Sequence, residues 1–252
     1  MALTSEERGH GPPLVLVHGT ASTRASWDEV AELVDGSFRT IRYDRRGYGA
    51  SAELGAETVE QHGDDLIALL RDLDAAPALL CGHSFGGLVC LDVLLREPGL
   101  ARAAVLVEPP LLRLASNGAD AMARMRAAVE EVATVSGAVA AIGRFSLELC
   151  GQRGLAAAGR ERGEQSLRHP RAFAADLRAA AEWSVPAASL GAIATPVTLV
   201  TGIHTAAMWR EPSEALARLI PGADLHEADS AHLVPIEAPE VVAGAIWSLA
   251  QP

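Results

Sequence analysis

The chain has 252 residues, 49% of them hydrophobic and 21% charged, which is enough to bury a large core and too apolar to stay disordered. Its formal net charge of −11 repels a nucleic-acid backbone, and all 21 basic residues are arginine, so chemistry that needs a lysine amine is excluded. Three cysteines lack metal-ligand spacing, residues 1–11 carry no apolar signal segment, and no apolar run would span a bilayer, which predicts a cytoplasmic protein without nucleic-acid or membrane partners.

In chain order, residues 13–17 (Pro-Leu-Val-Leu-Val) form a continuous apolar run, the pattern of a strand buried on both faces. Helical spacing follows over 25–34, a second strand over 38–43, and a loop Asp44-Arg45-Arg46-Gly47-Tyr48-Gly49. An amphipathic helix over 57–73 leads to a strand at 78–81, a Gly-rich turn and a helix over 88–96. The strand at 103–107 ends at Glu108-Pro109-Pro110. From 111 to 190 the chain is rich in Ala, Arg and Glu with helical periodicity and no strand. Strands at 196–201 and 224–228 then alternate with helices over 213–219 and 239–249. This alternation predicts an α/β protein with a mostly parallel sheet, in which 1–110 and 191–252 form the core and 111–190 an inserted helical cap.

Gly82-His83-Ser84-Phe85-Gly86 is a G-x-S-x-G sequence between a buried strand and a helix. The glycines permit a strained turn that exposes the Ser84 hydroxyl, and the following helix N-terminus aims N–H groups at developing negative charge. Two weaker patterns lead nowhere. Gly47-x-Gly49-x-x-Ala52 is interrupted as a dinucleotide fingerprint, and His226-Glu227 lacks the spacing of a zinc motif, so neither a metal nor a cofactor is expected.

Together with Leu16-Val17-His18-Gly19-Thr20, the segment 44–51 and Ala231-His232-Leu233-Val234-Pro235, that turn resembles the α/β-hydrolase fold superfamily over almost the whole chain. The resemblance implies Ser84 as nucleophile, His232 as general base and acid, and an oxyanion hole from the backbone N–H groups of Thr20 and Phe85. His83, beside the nucleophile, reads as packing.

The sequence departs from the common family pattern at the acid, where Gly202-Ile203-His204-Thr205 has Thr205 in the place of an aspartate. A carboxylate stands instead at the tip of the strand after the nucleophile strand, and the order Ser84, Glu108, His232 fits the fold. Glu108 is therefore the expected acid, with Asp229 the weaker candidate and pairing of Glu108 to Arg113 the alternative. Some members of the superfamily carry their acid there.

The cap of such enzymes usually selects the substrate, which makes Trp27, Met125, Phe145, Trp183, Met208 and Trp209 the candidate pocket residues. The implied function is hydrolysis of a carboxylic ester or lactone of a hydrophobic small molecule. Thioester or C–C bond hydrolysis, acyl transfer, perhydrolysis and a binding protein without turnover are the alternatives, and a homodimer is left open. The lysine-free composition fits a high-GC bacterial genome and a place in secondary metabolism.

Overall fold

The computed structural model describes residues 3–55 and 58–250. Seven strands, β1 (Ser5–Arg8), β2 (Pro13–Val17), β3 (Arg39–Tyr43), β4 (Ala78–His83), β5 (Ala101–Val107), β6 (Val197–Gly202) and β7 (Asp224–Ala228), form one sheet in the order β1-β3-β2-β4-β5-β6-β7. All neighbours are parallel except β1, which runs antiparallel to β3. The mostly parallel α/β core is thus as expected. The unpredicted strand is β1, whose Ser-Glu-Glu-Arg sequence has no apolar alternation. It is held at the sheet edge by backbone pairing and by Arg39–Glu7 and Arg42–Glu6 ion pairs.

Helices cover both faces: α1 (Asp28–Val34), α2 (Val59–Asp72), α3 (Phe85–Arg96) and, after β6, α8 (Ala207–Leu219), α9 (Val234–Glu237) and α10 (Pro239–Ala250). The period of two along β2 sorts the core into two layers. Val15 and Val17 pack with Leu66, Leu70, Leu88 and Val89 of α2 and α3, whereas Leu14 and Leu16 pack with Val30, Val34, Val242 and Ile246 of α1 and α10. Each such buried side chain stabilises the fold by about 1.5–3 kcal/mol. The Thr58 hydroxyl caps α2 by accepting from the Gln61 N–H at 3.3 Å, and Glu57, taken as the helix start from sequence, lies outside the described residues.

Between β5 and β6 the chain makes only helices: α4 (Gly118–Ser136), α5 (Ala138–Ser166), α6 (Pro170–Glu182) and α7 (Ala187–Leu190). A third apolar cluster, built on Met122, Ile142, Phe145, Phe173 and Leu177, packs this layer together over Trp209 of α8. Helix α5 is not continuous, because Gly151 and Gly159 adopt φ of 62° and 73° and break it into shorter segments. No helix among the described residues is long and apolar enough to cross a membrane.

Candidate active site

Strand β4 delivers His83 and the chain then reverses at Ser84 into α3. Ser84 has φ 51° and ψ −122°, a conformation that L residues avoid and that costs about 1–3 kcal/mol. The residues two positions to either side must be glycines. A Cβ on Gly82 would come within 2.3 Å of the Gly86 carbonyl oxygen, and one on Gly86 within 2.1 Å of the Val17 oxygen. The Ser84 N–H is anchored to the Val107 carbonyl at 2.7 Å, so the turn hangs from β5.

Register places Glu108 beside it, since His83 pairs with Val107 across β4 and β5. Glu108 also has a positive φ, 47°, and is fully buried. Its Oε1 accepts from the Thr201 hydroxyl at 2.9 Å and the Gly202 N–H at 2.8 Å, while Oε2 accepts from the Thr205 hydroxyl at 3.1 Å and from His232 Nδ1 at 2.5 Å. Thr205, the residue that stands where the resemblance leads one to look for an aspartate, thus donates to the Glu108 carboxylate. With a carboxylate on Nδ1, that nitrogen carries the proton and Nε2 presents its lone pair. Nε2 is buried with no hydrogen-bond partner among the described residues, and Ser84 and His232 line the same pocket.

The other candidate groups stand elsewhere. Asp229 is 75% exposed and bound to Arg153 at 3.0 Å and His204 at 2.8 Å. Arg113 is exposed, and the Glu108 oxygens are occupied by the four donors above. His83 does more than pack: its Nε2–H donates to the His232 carbonyl at 2.8 Å and fixes the loop between β7 and α9. Burial, aided by the neighbouring His232, pushes the His83 pKa down to about 3, so the ring is a neutral donor.

Phe85 is the first residue of α3, where backbone N–H groups have no carbonyl of the helix's own preceding turn to donate to. Thr20 lines the pocket with Ser84, and a Cβ on Gly19 would lie 3.0 Å from that of Ser84, so the loop 18–20 rests directly against the nucleophile candidate.

The pocket wall differs from the one expected. Phe145 of α5 does line it, with Leu149, Leu155, Leu233 and Ile236. Trp27 does not: a 3-10 turn over Arg24–Trp27 swings the indole behind the sheet into the core under α1 and α10. Trp183 likewise ends α6 and packs into the α2/α3 layer, and Met125 and Met208 pack against the third apolar cluster. Trp209 is buried in that cluster with its ring 5.4 Å from the His232 ring, so it flanks that imidazole. Apolarity alone does not separate a wall from a core. The pocket residues that sequence reasoning missed, Leu149, Cys150, Leu155 and Arg162, all come from the broken helix α5. No group of His, Cys, Asp and Glu among the described residues is arranged to hold a metal ion.

Three buried histidines make the core acid-sensitive. Burial lowers His18 and His62, assisted by Arg45, as it lowers His83. The unfolded rings protonate near pH 6.5 while the native ones resist, so the unfolded state binds more protons as pH falls below that value. Thermal melts are expected to show a Tm that drops steadily from pH 7 toward pH 4, and a flat Tm would contradict neutral burial.

A family model described as the alpha/beta hydrolase family matches residues 14–245. The enol-lactonase from Burkholderia xenovorans superposes with a TM-score of 0.85 at 21% identity, covering 98% of this chain and 95% of that one, a likeness of fold. A thermophilic esterase from Thermogutta terrifontis gives a TM-score of 0.82 at 28% identity over 98% of this chain and 92% of that one. The 2-(acetamidomethylene)succinate hydrolase of Mesorhizobium japonicum is 32% identical over 110 residues, 43% of this chain and 39% of that protein. The match thus spans about two fifths of that curated relative's length.

Proposed function

The chain belongs to the alpha/beta hydrolase family, and on that premise we propose that it is a serine hydrolase cleaving a carboxylic ester or lactone of a hydrophobic small molecule through an acyl-enzyme on Ser84. The observation that carries the reading is the 2.5 Å contact between Glu108 and His232 Nδ1, which leaves Nε2 free in the pocket that Ser84 lines. Ser84 Oγ attacks the carbonyl carbon as His232 Nε2 takes its proton, and the N–H groups of Thr20 and Phe85 hold the oxyanion. The C–O bond breaks and His232 gives the proton to the leaving alcohol. Water, deprotonated by the same nitrogen, then attacks the acyl carbon and releases the acid with Ser84 restored. In a lactone the alcohol stays tethered to the acyl group.

The helices over 111–190 act in this reading as the cap on a core of 1–110 and 191–252. The pocket favours neutral substrates: Phe145, Leu149, Leu155 and Ile236 are apolar, and the Arg162 guanidinium is committed to Glu29 through contacts of 2.7 and 2.9 Å. An anionic acyl chain would be buried without a free cation. The enzyme works in the cytoplasm on such substrates, without a cofactor.

A fluorophosphonate probe followed by intact mass tests the chemistry. One label per chain is expected, placed on Ser84 by peptide mapping. With p-nitrophenyl butyrate and a p-nitrophenyl ester bearing a free terminal carboxylate, kcat/KM is expected to favour the neutral ester at least about tenfold. An unlabelled chain would defeat the serine mechanism, and equal rates would defeat the neutral-substrate assignment.

A further inference from the structure

Behind the oxyanion loop lies a buried charged cluster that the hydrolysis scheme does not use. Arg45, from the loop after β3, is wholly buried and forms a 2.6 Å ion pair with Asp176 of α6. Asp176 Oδ2 also accepts from the Thr20 hydroxyl at 2.9 Å and the Tyr48 hydroxyl at 2.8 Å. Burial opposes the charge on Asp176, yet the Arg45 guanidinium beside it holds its carboxyl below the usual carboxylate range.

Arg45 Nη1 meets Asp176 Oδ1 and the His62 ring, each at 3.3 Å, and its other donors face the oxyanion loop. Its Nε–H reaches the His18 carbonyl at 2.9 Å, Nη2 reaches the Gly19 carbonyl at 3.1 Å, and its backbone N–H donates to His18 Nε2 at 2.9 Å. The Gly19 carbonyl belongs to the same peptide unit as the Thr20 N–H. In a planar trans peptide these two groups point in opposite directions, so tying the carbonyl to Arg45 turns the N–H away from Arg45. The guanidinium also stacks on the Phe85 ring, 4.5 Å from its centroid, and so touches the residue that supplies the second donor.

We propose that Arg45 and Asp176 are positioning residues that set the Thr20 N–H for the oxyanion, and that Asp176, carried by α6, makes this setting depend on how the helical insertion is seated. The proposal rests on the serine-hydrolase reading. Orientation of this kind acts on the transition state more than on substrate binding, so its signature is a fall in kcat with KM nearly unchanged.

The test compares the full-length wild type with Asp176→Asn, Thr20→Val and the double variant Arg45→Met/Asp176→Leu. For each, kcat and KM for p-nitrophenyl butyrate are measured per active site titrated to completion with fluorophosphonate, together with Tm. Removing an oxyanion donor outright costs about 10²–10³ in kcat, so a misaligned donor in Asp176→Asn is expected to cost roughly 10- to 100-fold, with KM within about twofold. Thr20→Val, which loses only the hydroxyl contact, is expected to fall roughly 3- to 10-fold. The double variant removes both buried charges and is expected to recover Tm without recovering kcat.

A merely structural pair predicts the opposite: activity per titrated site stays at the wild-type level in Asp176→Asn or in the double variant, with only Tm moving. That result would overturn the proposal. Failure of the underlying hydrolase reading shows separately, as a wild type that takes up no label.

Discussion

Replacing Glu108 with Gln is expected to lower kcat by about 10⁴-fold while leaving the fold intact. The size of the loss follows from proton placement. Glu108 receives the Nδ1–H of His232 at 2.5 Å, which keeps the lone pair on Nε2. An amide at this position offers its own N–H to Nδ1, the proton moves to Nε2, and the base faces Ser84 in the wrong tautomer. Gln still accepts from Thr201 and Gly202, so the buried donors keep partners and Tm is expected to shift little. Steady-state kinetics on a p-nitrophenyl ester and a thermal melt check both statements. The position of Thr205 supplies a second arm. Because its hydroxyl lies 3.1 Å from Glu108 Oε2, Glu108→Ala/Thr205→Asp is expected to regain part of the rate that Glu108→Ala loses. A Glu108→Gln enzyme within tenfold of wild type would remove Glu108 from the mechanism.

Ser84→Gly is expected to abolish turnover, by about 10⁶-fold in kcat, and at the same time to raise stability. The nucleophile candidate sits at φ 51°, a conformation that glycine adopts without strain. Relief of about 1–3 kcal/mol of backbone strain outweighs the roughly 1 kcal/mol of additional chain entropy that glycine brings to the unfolded state. The net gain of about 1 kcal/mol corresponds to a Tm rise of about 2–4 °C for a domain of this size. Ser84→Ala is expected to lose the same activity without the gain, since its Cβ retains the strain. A Ser84→Gly chain that melts no higher than Ser84→Ala would show that the turn is not strained in solution.

Much of this arrangement was legible because it is carried by short-range pattern. Apolar runs located β2, β4, β5 and β6, the alternation with helices placed β3 and β7, the glycines around Ser84 announced a sharp turn, and the tip of β5 placed Glu108 at the edge where parallel sheets gather their sites. What escaped depends on contacts between distant segments. Asp176 stands in an Ala- and Arg-rich helix with no motif, and its partners Thr20, Arg45 and Tyr48 come from the other end of the chain. Trp27 and Trp183 misled for the converse reason: a large apolar ring is equally suited to a pocket wall and to the core, and only the direction of its backbone decides. The charged strand β1 was invisible because hydrogen bonding to an edge requires no hydrophobic face.

The four hydrogen bonds around Glu108 also bear on how such a site changes over descent. The Thr205 hydroxyl and His232 Nδ1 converge on the same oxygen, Glu108 Oε2, from two different loops. On the proposed assignment, a chain with carboxylates at both 108 and 205 would offer the imidazole a partner from either strand. Ancestry and triad address are then separable: two homologues with identical chemistry need not carry their acids at equivalent alignment columns.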